Sequence, residues 1–144
     1  MSIDSRPDLS VAIISFNTRD WLEKTLTSIF QDTKDISLDV WVIDNASVDG
    51  SPELVEKRFP QVRLLRNKTN EYITRPYNRV MRESQGRYVL IADSDLLFPD
   101  NALGRMVGYM DENPRIGALS PKILKLSGEV DLVYNRDNTL THAF

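Results

Sequence analysis

The stretch that decides the fold is Arg87-Tyr88-Val89-Leu90-Ile91-Ala92-Asp93-Ser94-Asp95. Its centre, residues 88–92, is an unbroken apolar run with β-branched and aromatic members, which predicts a fully buried central strand. Asp93 and Asp95 stand one residue apart where that strand ends. Ligands of open α/β sheets bind outside the carboxyl ends of the strands, so this pair is placed to hold a divalent cation, Mg²⁺ or Mn²⁺. The pattern is short and common, and a turn with a helix-start charge before Pro99 is the alternative.

The composition predicts one globular domain. The chain has 144 residues, of which 41% are hydrophobic and 27% charged, enough for a single packed core. Its net charge of -3 has both signs interspersed, so we expect no nucleic-acid partner. There are no cysteines, which excludes disulfides and cysteine chemistry and fits the cytoplasm. No stretch approaches the roughly 20 apolar residues of a transmembrane helix, and residues 1–8 lack the apolar core of a signal peptide.

Hydrophobic periodicity predicts strands that alternate with helices. The expected strands are residues 9–16, 38–43, 62–66 and 88–92, with a short one at 116–119. The expected helices are residues 20–30, 51–59 and 76–84, and a fourth after Pro99 that carries Leu103, Met106, Val107 and Met110 on one face. A hairpin of residues 122–126 and 129–133 is expected around Ser127-Gly128. Residues 135–144 have no periodicity, and we expect them to be loose or outside any core.

Local signals mark where these helices begin and end. Asn17-Thr18 offers an N-cap for the first helix. Ser51 is a hydroxyl N-cap for the second, and Pro52 suits the first helical position. Gly86 is the expected C-terminal stop of the third helix.

The alternation predicts an α/β fold with a parallel sheet and right-handed crossovers. If the first strand is central, flanked by the second and the fourth, the polar clusters at residues 15–17, 44–47 and 93–95 meet at a topological switch point. Such a mixture suits a nucleotide, with a ring to stack the base, an acid or amide to read its edge, and a cation for the diphosphate. Neither a Gly-x-Gly-x-x-Gly motif after the first strand nor a Lys-bearing P-loop is present, which disfavours a dinucleotide or NTPase site.

Three motifs, in this order and spacing, resemble family 2 glycosyltransferases of the GT-A fold, and their rhamnosyltransferase-like branch in particular. They are residues 10–18, 42–51 and 86–95. The similarity runs from about residue 9 to about residue 133 and includes Asn70, Asn78 and residues 117–122. The resemblance implies a Rossmann-like, mostly parallel sheet with helices on both faces, in a single truncated GT-A domain over residues 1–144, with the ordered core at about 9–133.

The resemblance also implies inverting transfer of a sugar from a nucleoside diphosphate donor, linked to UDP, dTDP or GDP, to a glycan or other hydroxyl acceptor. Phe16 would lie against the base, and Asp44 and Asn45 would read its edge. Asp93 would lie nearer the ribose, and Asp95 is the likelier direct ligand of the metal that both acids would hold. The implied nucleotide-sugar site comprises Ser15, Phe16, Asn17, Asp44, Asn45, Asn78, Asp93 and Ser94.

Two departures from the family pattern qualify these expectations. The family carries small residues after the asparagine that matches Asn70, whereas this chain has Tyr72, Arg75, Pro76, Tyr77 and Val80. Their bulk would narrow the donor crevice, although Arg75 could instead give phosphate a cation, or be a surface charge.

The second departure is length, because the family's acceptor-side half and its general base lie downstream of Phe144. The carboxylates of Asp111, Glu112, Glu129 and Asp131 are more simply solvated charges, so the general base is not identified. We therefore expect the donor-binding half of a larger enzyme, cytoplasmic, with any membrane attachment through missing parts or partners. Surface that the missing half would cover favours association between copies.

A non-catalytic nucleotide-sugar-binding or assembly module is the main alternative function. The missing base and the bulky Tyr72 and Tyr77 favour it. A nucleotidyltransferase of similar architecture is a third interpretation, and the residues Asn17-Thr18-Arg19-Asp20 do not supply the basic, glycine-rich loop that it needs.

Overall fold

The computed structural model describes residues 5–131, and strands and helices alternate along them. The four longer expected strands and the three helices with predicted bounds form to within two residues at either end, and a fourth helix follows Pro99. Within this range no helix is both long and apolar enough to cross a bilayer. The elements are β1 (Leu9–Ser15), α1 (Arg19–Asp32), β2 (Leu38–Asp44), α2 (Ser51–Arg58), β3 (Arg63–Arg66), α3 (Thr74–Glu83), β4 (Tyr88–Asp93) and α4 (Ala102–Glu112).

The strands form one parallel sheet in the order β3-β2-β1-β4. This order places β1 between β2 and β4, which is the arrangement that brings the three polar clusters to one switch point. The register pairs Ser15 of β1 with Asp44 of β2, and Ile14 of β1 with Asp93 of β4. The carboxyl ends of these three strands therefore finish at one level, which is where a parallel α/β sheet binds ligands.

Helices cover both faces of the sheet, as expected. Helices α1, α2 and α4 pack on one face, where Leu22, Leu26 and Ile29 of α1 are completely buried. Each such side chain contributes about 1.5–3 kcal/mol through its burial. Helix α3 covers the other face with Tyr77 and Val80, against apolar residues of β1 and β2.

Strand β4 does not have the fully buried character that its apolar run predicts. Within residues 5–131 it is an edge strand, because β1 is its single neighbour in the sheet. Leu90 and Ala92 pack under the helices of the first face, whereas Val89 and Ile91 are 39% and 48% exposed. The physical reason is that α3 packs its apolar side chains on β1 and β2 on the second face and leaves Val89 and Ile91 of β4 uncovered.

Two further expectations about the chain after α4 need correction. Residues 116–119 form no strand; they follow a turn at residues 114–115 and contain one bend, at Gly117. The predicted hairpin is reduced to a single antiparallel bridge between Leu124 and Val130, with Gly128 at φ 86° in its turn. Residues 132 and 133 of that hairpin, and residues 135–144, lie outside the described part of the chain.

Thr18 is the N-cap of α1, within the expected pair, but the carboxylate of Asp49 accepts the hydrogen bonds at the starts of both α1 and α2. Gly50, at φ 85°, is the N-cap of α2, so Ser51 is the first helical residue. Asp49 accepts hydrogen bonds from the Ser51 backbone N–H (3.0 Å) and hydroxyl (2.6 Å). Its other oxygen accepts from the N–H of Arg19 (2.8 Å), whereas the hydroxyl of Thr18, at the N-cap of α1, makes no capping bond. The carboxylate of Asp49 thus accepts hydrogen bonds from backbone N–H groups at the starts of two helices.

Gly86 allows a close contact between β1 and β4 and is not the C-terminal stop of α3. That helix ends at Glu83, with Ser84 as its C-cap. The N–H of Gly86 donates to the hydroxyl of Ser10 in β1 (3.0 Å). A Cβ at this position would stand 2.5 Å from the backbone nitrogen of Ser10. The absence of a side chain therefore allows β1 and β4 to begin side by side.

Candidate active site

Three polar clusters meet at the carboxyl end of the sheet, joined by direct hydrogen bonds. The backbone N–H of Asn17, after β1, donates to the hydroxyl of Ser47, after β2 (2.9 Å). The side-chain oxygen of Asn17 accepts from the N–H of Val48 (2.9 Å). The hydroxyl of Thr18 lies 2.9 Å from that of Ser94, after β4. The structure therefore brings the three clusters together as the sequence predicts.

Phe16 presents its ring to solvent at this edge. It is 47% exposed, which argues against a simple core role for an aromatic at a strand end. Asn17 follows with φ 55°, a conformation that asparagine adopts more readily than most residues. Because the amide oxygen of Asn17 is bonded to the β2 loop, the backbone that carries the Phe16 ring is held in place.

Asp44 carries an unsatisfied acceptor at the bottom of the site. The residue is 2% exposed, and its Oδ2 accepts from the N–H of Ser47 (2.9 Å). Its Oδ1 is buried with no hydrogen-bond partner among the described residues. A buried acceptor without a donor costs about 1–3 kcal/mol. Because the oxygen is closed to solvent, an N–H group of a bound molecule would remove that cost only after the surrounding loops move to admit it.

Asn45 is a buried hub for the loop between β3 and α3. Its side-chain nitrogen donates to the carbonyl of Tyr72, and its oxygen accepts from the side-chain amide of Asn67, both at 2.9 Å. A longer bond of 3.4 Å comes from the N–H of Glu71. The residue is 2% exposed. The amide is thus committed to this loop, and direct reading of a base by Asn45 does not follow from its geometry.

Two acids stand at the end of β4, Asp93 as its last residue and Asp95 two residues later. Asp93 and Asp95 are both exposed, and they flank Ser94, which is 7% exposed. Between residues 5 and 131 there is no group of three or more His, Asp or Glu side chains that could enclose a metal ion. A pair of carboxylates suits Mg²⁺ or Mn²⁺ when a substrate phosphate supplies further oxygen ligands.

Comparison with known proteins identifies the family. Residues 10–139 match the family model described as Glycosyl transferase family 2. The chain belongs to this family. The mostly parallel sheet with helices on both faces is accordingly the GT-A fold, as solved glycosyltransferase structures also show.

Three relatives illustrate the similarity of this family 2 domain. The N-acetylglucosaminyl-diphospho-decaprenol L-rhamnosyltransferase of Mycobacterium tuberculosis is 27% identical over 133 residues, which cover 85% of this chain and 43% of the relative. The mannosyltransferase PcManGT of Pyrobaculum calidifontis, solved with GDP-Man and Mn²⁺, aligns with a TM-score of 0.72 and 27% identity over 85% of this chain and 37% of that protein. S. aureus TarS 1-349 with UDP-GlcNAc shares the fold, with a TM-score of 0.67 at 20% identity over 84% of this chain and 41% of TarS. The chain matches about two fifths of the length of the rhamnosyltransferase and of two other curated relatives, and smaller shares of some others.

The bulky residues of the family 2 domain that depart from the family pattern do not all face the site. Tyr77 and Val80 are buried against the sheet, and the hydroxyl of Tyr77 donates to the carbonyl of Ala92 (3.2 Å). Tyr72 is 79% exposed and has a φ of 59°, a strained conformation for an aromatic residue. Arg75 is exposed, without a salt bridge in the described range. The expected narrowing of the crevice therefore cannot come from Tyr77 or Val80.

Asn78, the remaining predicted site residue, lies on α3 and, among the described residues, is not bonded to the strand ends. It is exposed on α3 and makes no hydrogen bond to residues 15–18, 44–47 or 93–95 in the described chain. Conversely, Thr18 and Thr25 contact site residues, although sequence reasoning did not select them. Their long-range bonds connect residues 76 and 69 positions apart, which no local pattern signals.

Tyr77 gives the site a pH-dependent test of stability. Burial, and secondly the negative charge of Asp93, raise the pKa of Tyr77 to about 12. A phenol whose folded pKa exceeds its unfolded value of about 10 contributes stability that is full below pH 10 and lost as the pH rises through 12. Between pH 9 and pH 12, the unfolding free energy of the unmodified chain should fall by about 2 kcal/mol more than that of Tyr77→Phe. Urea denaturation at each pH measures this difference. Tyr109→Phe, at a half-exposed tyrosine, is the control, and equal pH dependence in both variants would contradict the assignment.

Proposed function

We propose that this chain is the donor-binding part of a glycosyltransferase. It binds a nucleoside diphosphate sugar together with Mg²⁺ or Mn²⁺ and presents the sugar for transfer, with inversion, to a hydroxyl of a glycan or other acceptor. The observation that carries the proposal is the buried, unpaired Oδ1 of Asp44 at the end of β2. The exposed ring of Phe16, which follows β1, stands at the same edge of the sheet. The two relatives solved with GDP-Man and with UDP-GlcNAc support the donor class.

The base of the nucleotide would stack on Phe16 and donate its ring N–H to Asp44. Uracil, thymine and guanine each carry such an N–H, whereas adenine and cytosine do not. This chemistry favours UDP, dTDP or GDP as the carrier of the sugar. Asn45 would contribute indirectly, because its amide fixes the loop of residues 67–72 beside the base.

Asp93 and Asp95 would hold the cation on the diphosphate side. Both carboxylates are exposed and have no protein donor in residues 5–131, so they are available as oxygen ligands. When bound, the metal supplies Lewis-acid assistance to departure of the diphosphate. The Mn²⁺ of the PcManGT structure supports the same class of ion here.

Inverting transfer also needs a general base for the acceptor hydroxyl. Asp111 does not fit this role, because Arg87 (2.7 Å) and the hydroxyl of Tyr88 (2.8 Å) bind its carboxylate at the opposite end of β4. The length of that strand separates it from Asp93 by roughly 15 Å. The bonds from Arg87 and Tyr88 also lower the pKa of Asp111, which makes it a weaker base. We propose that the base comes from outside the described residues.

A non-catalytic nucleotide-sugar-binding module is the second candidate. The carboxylates that follow Asp95 and could act as a base are either exposed to solvent or, like Asp111, ion-paired. The lack of a general base among them favours this module. This module would bind nucleotides without transferring or hydrolysing the sugar. Donor hydrolysis or transfer by the chain would exclude it.

Calorimetric titration with UDP, dTDP, GDP and ADP, each with Mn²⁺, tests the proposal. We expect the first three to bind more tightly than ADP. Asp44→Ala should weaken their binding about tenfold, because the base then loses a charged hydrogen-bond acceptor. Asp20→Ala, at an exposed acid of α1, is the matched control. A folded sample that binds none of the four nucleotides at millimolar concentration would refute the donor site.

A further inference from the structure

We infer that a chain of hydroxyl groups positions the acid pair of β4 relative to the base-binding end of β1, with Thr18 as its central positioning residue. The inference rests on the proposed function. We call this chain the hydroxyl brace. Its members are Ser15, Thr18, Thr25 and Ser94.

The side chains of the brace form a continuous hydrogen-bonded path between two strand ends. The hydroxyl of Thr18 lies 3.0 Å from that of Ser15 and 2.9 Å from that of Ser94. Ser15 is completely buried and Ser94 is 7% exposed, so water does not readily replace these bonds. Thr18 therefore links the end of β1 to the turn after β4.

A second bond holds the backbone of the same turn. The hydroxyl of Thr25, a completely buried residue of α1, donates to the carbonyl oxygen of Ser94 (2.9 Å). Ser94 is thus held at its side chain and at its main chain, both times by the segment that runs from β1 into α1. A residue held at two points cannot rotate or shift without breaking one of them.

The position of Ser94 makes this restraint important for the site. It stands between Asp93 and Asp95, whose exposed carboxylates are the proposed metal ligands. Phe16 and Asn17 lie between Ser15 and Thr18, in the strand-end segment from which the brace starts. The brace consequently sets the spacing between the group that stacks the base and the groups that hold the cation, which one nucleoside diphosphate must span.

Direct contact of these hydroxyls with the nucleotide is the alternative, and the geometry argues against it. The Ser15 and Ser94 hydroxyls are buried and already bonded to Thr18. We therefore infer that Ser15 and Ser94 do not make the nucleotide contacts that the sequence predicts, but position the residues that do. Such a role should alter how strongly metal and nucleotide assist each other, while affinity for nucleotide alone is preserved.

The experiment compares the dissociation constant of UDP in Mn²⁺ with that in EDTA, by calorimetry on the full chain. The constant in EDTA divided by the constant in Mn²⁺ measures the coupling between metal and nucleotide. Thr18→Val should lower this ratio about fivefold, the effect of one lost hydrogen bond, and leave the constant in EDTA within about twofold of the original. Thr18→Ser keeps the hydroxyl and should restore the ratio. Thr25→Val should act like Thr18→Val, and Thr27→Val on the same helix is the control.

Each outcome decides the matter. If the unmodified chain binds UDP with metal coupling and folded Thr18→Val and Thr25→Val keep that coupling, the brace is overturned and the proposed function stands. Equal weakening in Mn²⁺ and EDTA, failure of Thr18→Ser to restore the ratio, or loss of folding in both valine variants would make the brace a stability element alone. If the unmodified chain binds neither UDP nor dTDP nor GDP, the proposed function falls and the inference with it.

Discussion

Asp95→Asn is expected to lower the affinity for UDP in Mn²⁺ by about 100-fold, as a direct metal ligand loses its charge. The carboxylate is exposed and has no donor among residues 5–131, so the amide should leave folding unchanged. A neutral amide oxygen is a poorer ligand for a hard divalent cation than a carboxylate. The loss should therefore appear in the metal-dependent part of binding, with the constant in EDTA unaltered.

Titration of the variant with UDP in Mn²⁺ and in EDTA measures this effect. Asp100→Asn is the matched control, because Asp100 is an exposed acid in the same loop and has φ 54°, which asparagine tolerates well. If Asp95→Asn retains full metal dependence while Asp93→Asn loses it, the roles of the two acids are reversed. If both variants retain it, the metal site is not at this turn.

Gly86→Ala is expected to reduce the unfolding free energy by about 3 kcal/mol, the upper range for overpacking a tight contact. The new methyl would stand 2.5 Å from the nitrogen and 2.7 Å from the hydroxyl oxygen of Ser10, and 2.8 Å from the carbonyl oxygen of Tyr88. Two of these atoms belong to strand backbones, so no side-chain rotation relieves the clash. Strands β1 and β4 would have to separate where their pairing begins.

Urea denaturation of Gly86→Ala against the unmodified chain measures this loss. Gly108→Ala is the control, since a Cβ there has no neighbouring atom within 4 Å. Gly108 lies inside α4, where alanine should raise stability by about 0.5–1 kcal/mol. A Gly86→Ala variant as stable as the original chain would show that the contact between β1 and β4 can relax.

The strands and their polar ends could be predicted, whereas the order of the sheet was only an assumption. Residues 9–16 are apolar except for two serines, which predicts a buried strand, and the structure places β1 in the interior of the sheet. The same rule was wrong for β4, whose apolar run has an open side in the described chain. An apolar run indicates that both faces of a strand can be buried. It does not indicate which segments cover those faces, because they come from distant parts of the sequence.

The side chains proposed for the site could be selected from the sequence, but the bonds between them could not. Phe16, Asp44 and the acid pair were selected because an aromatic ring that could stack a base, or a charge, stands at a strand end. Thr18 and Thr25 do not, since hydroxyl residues near helix starts have ordinary local uses. The role of Asn45 was missed for a related reason: its partners, residues 67–72, follow an intervening helix and strand.

The in-register pairing of β1 with β2 and β4 has a consequence for length variation in related genes. Side chains of a strand alternate between its faces, so inserting or deleting one residue between Gly86 and Asp93 would turn every following side chain over and carry the acids to the wrong level. The hairpin around Gly128 lies outside the sheet, so a change of length there turns over no strand of the sheet. Insertions and deletions should therefore collect there and spare the strands.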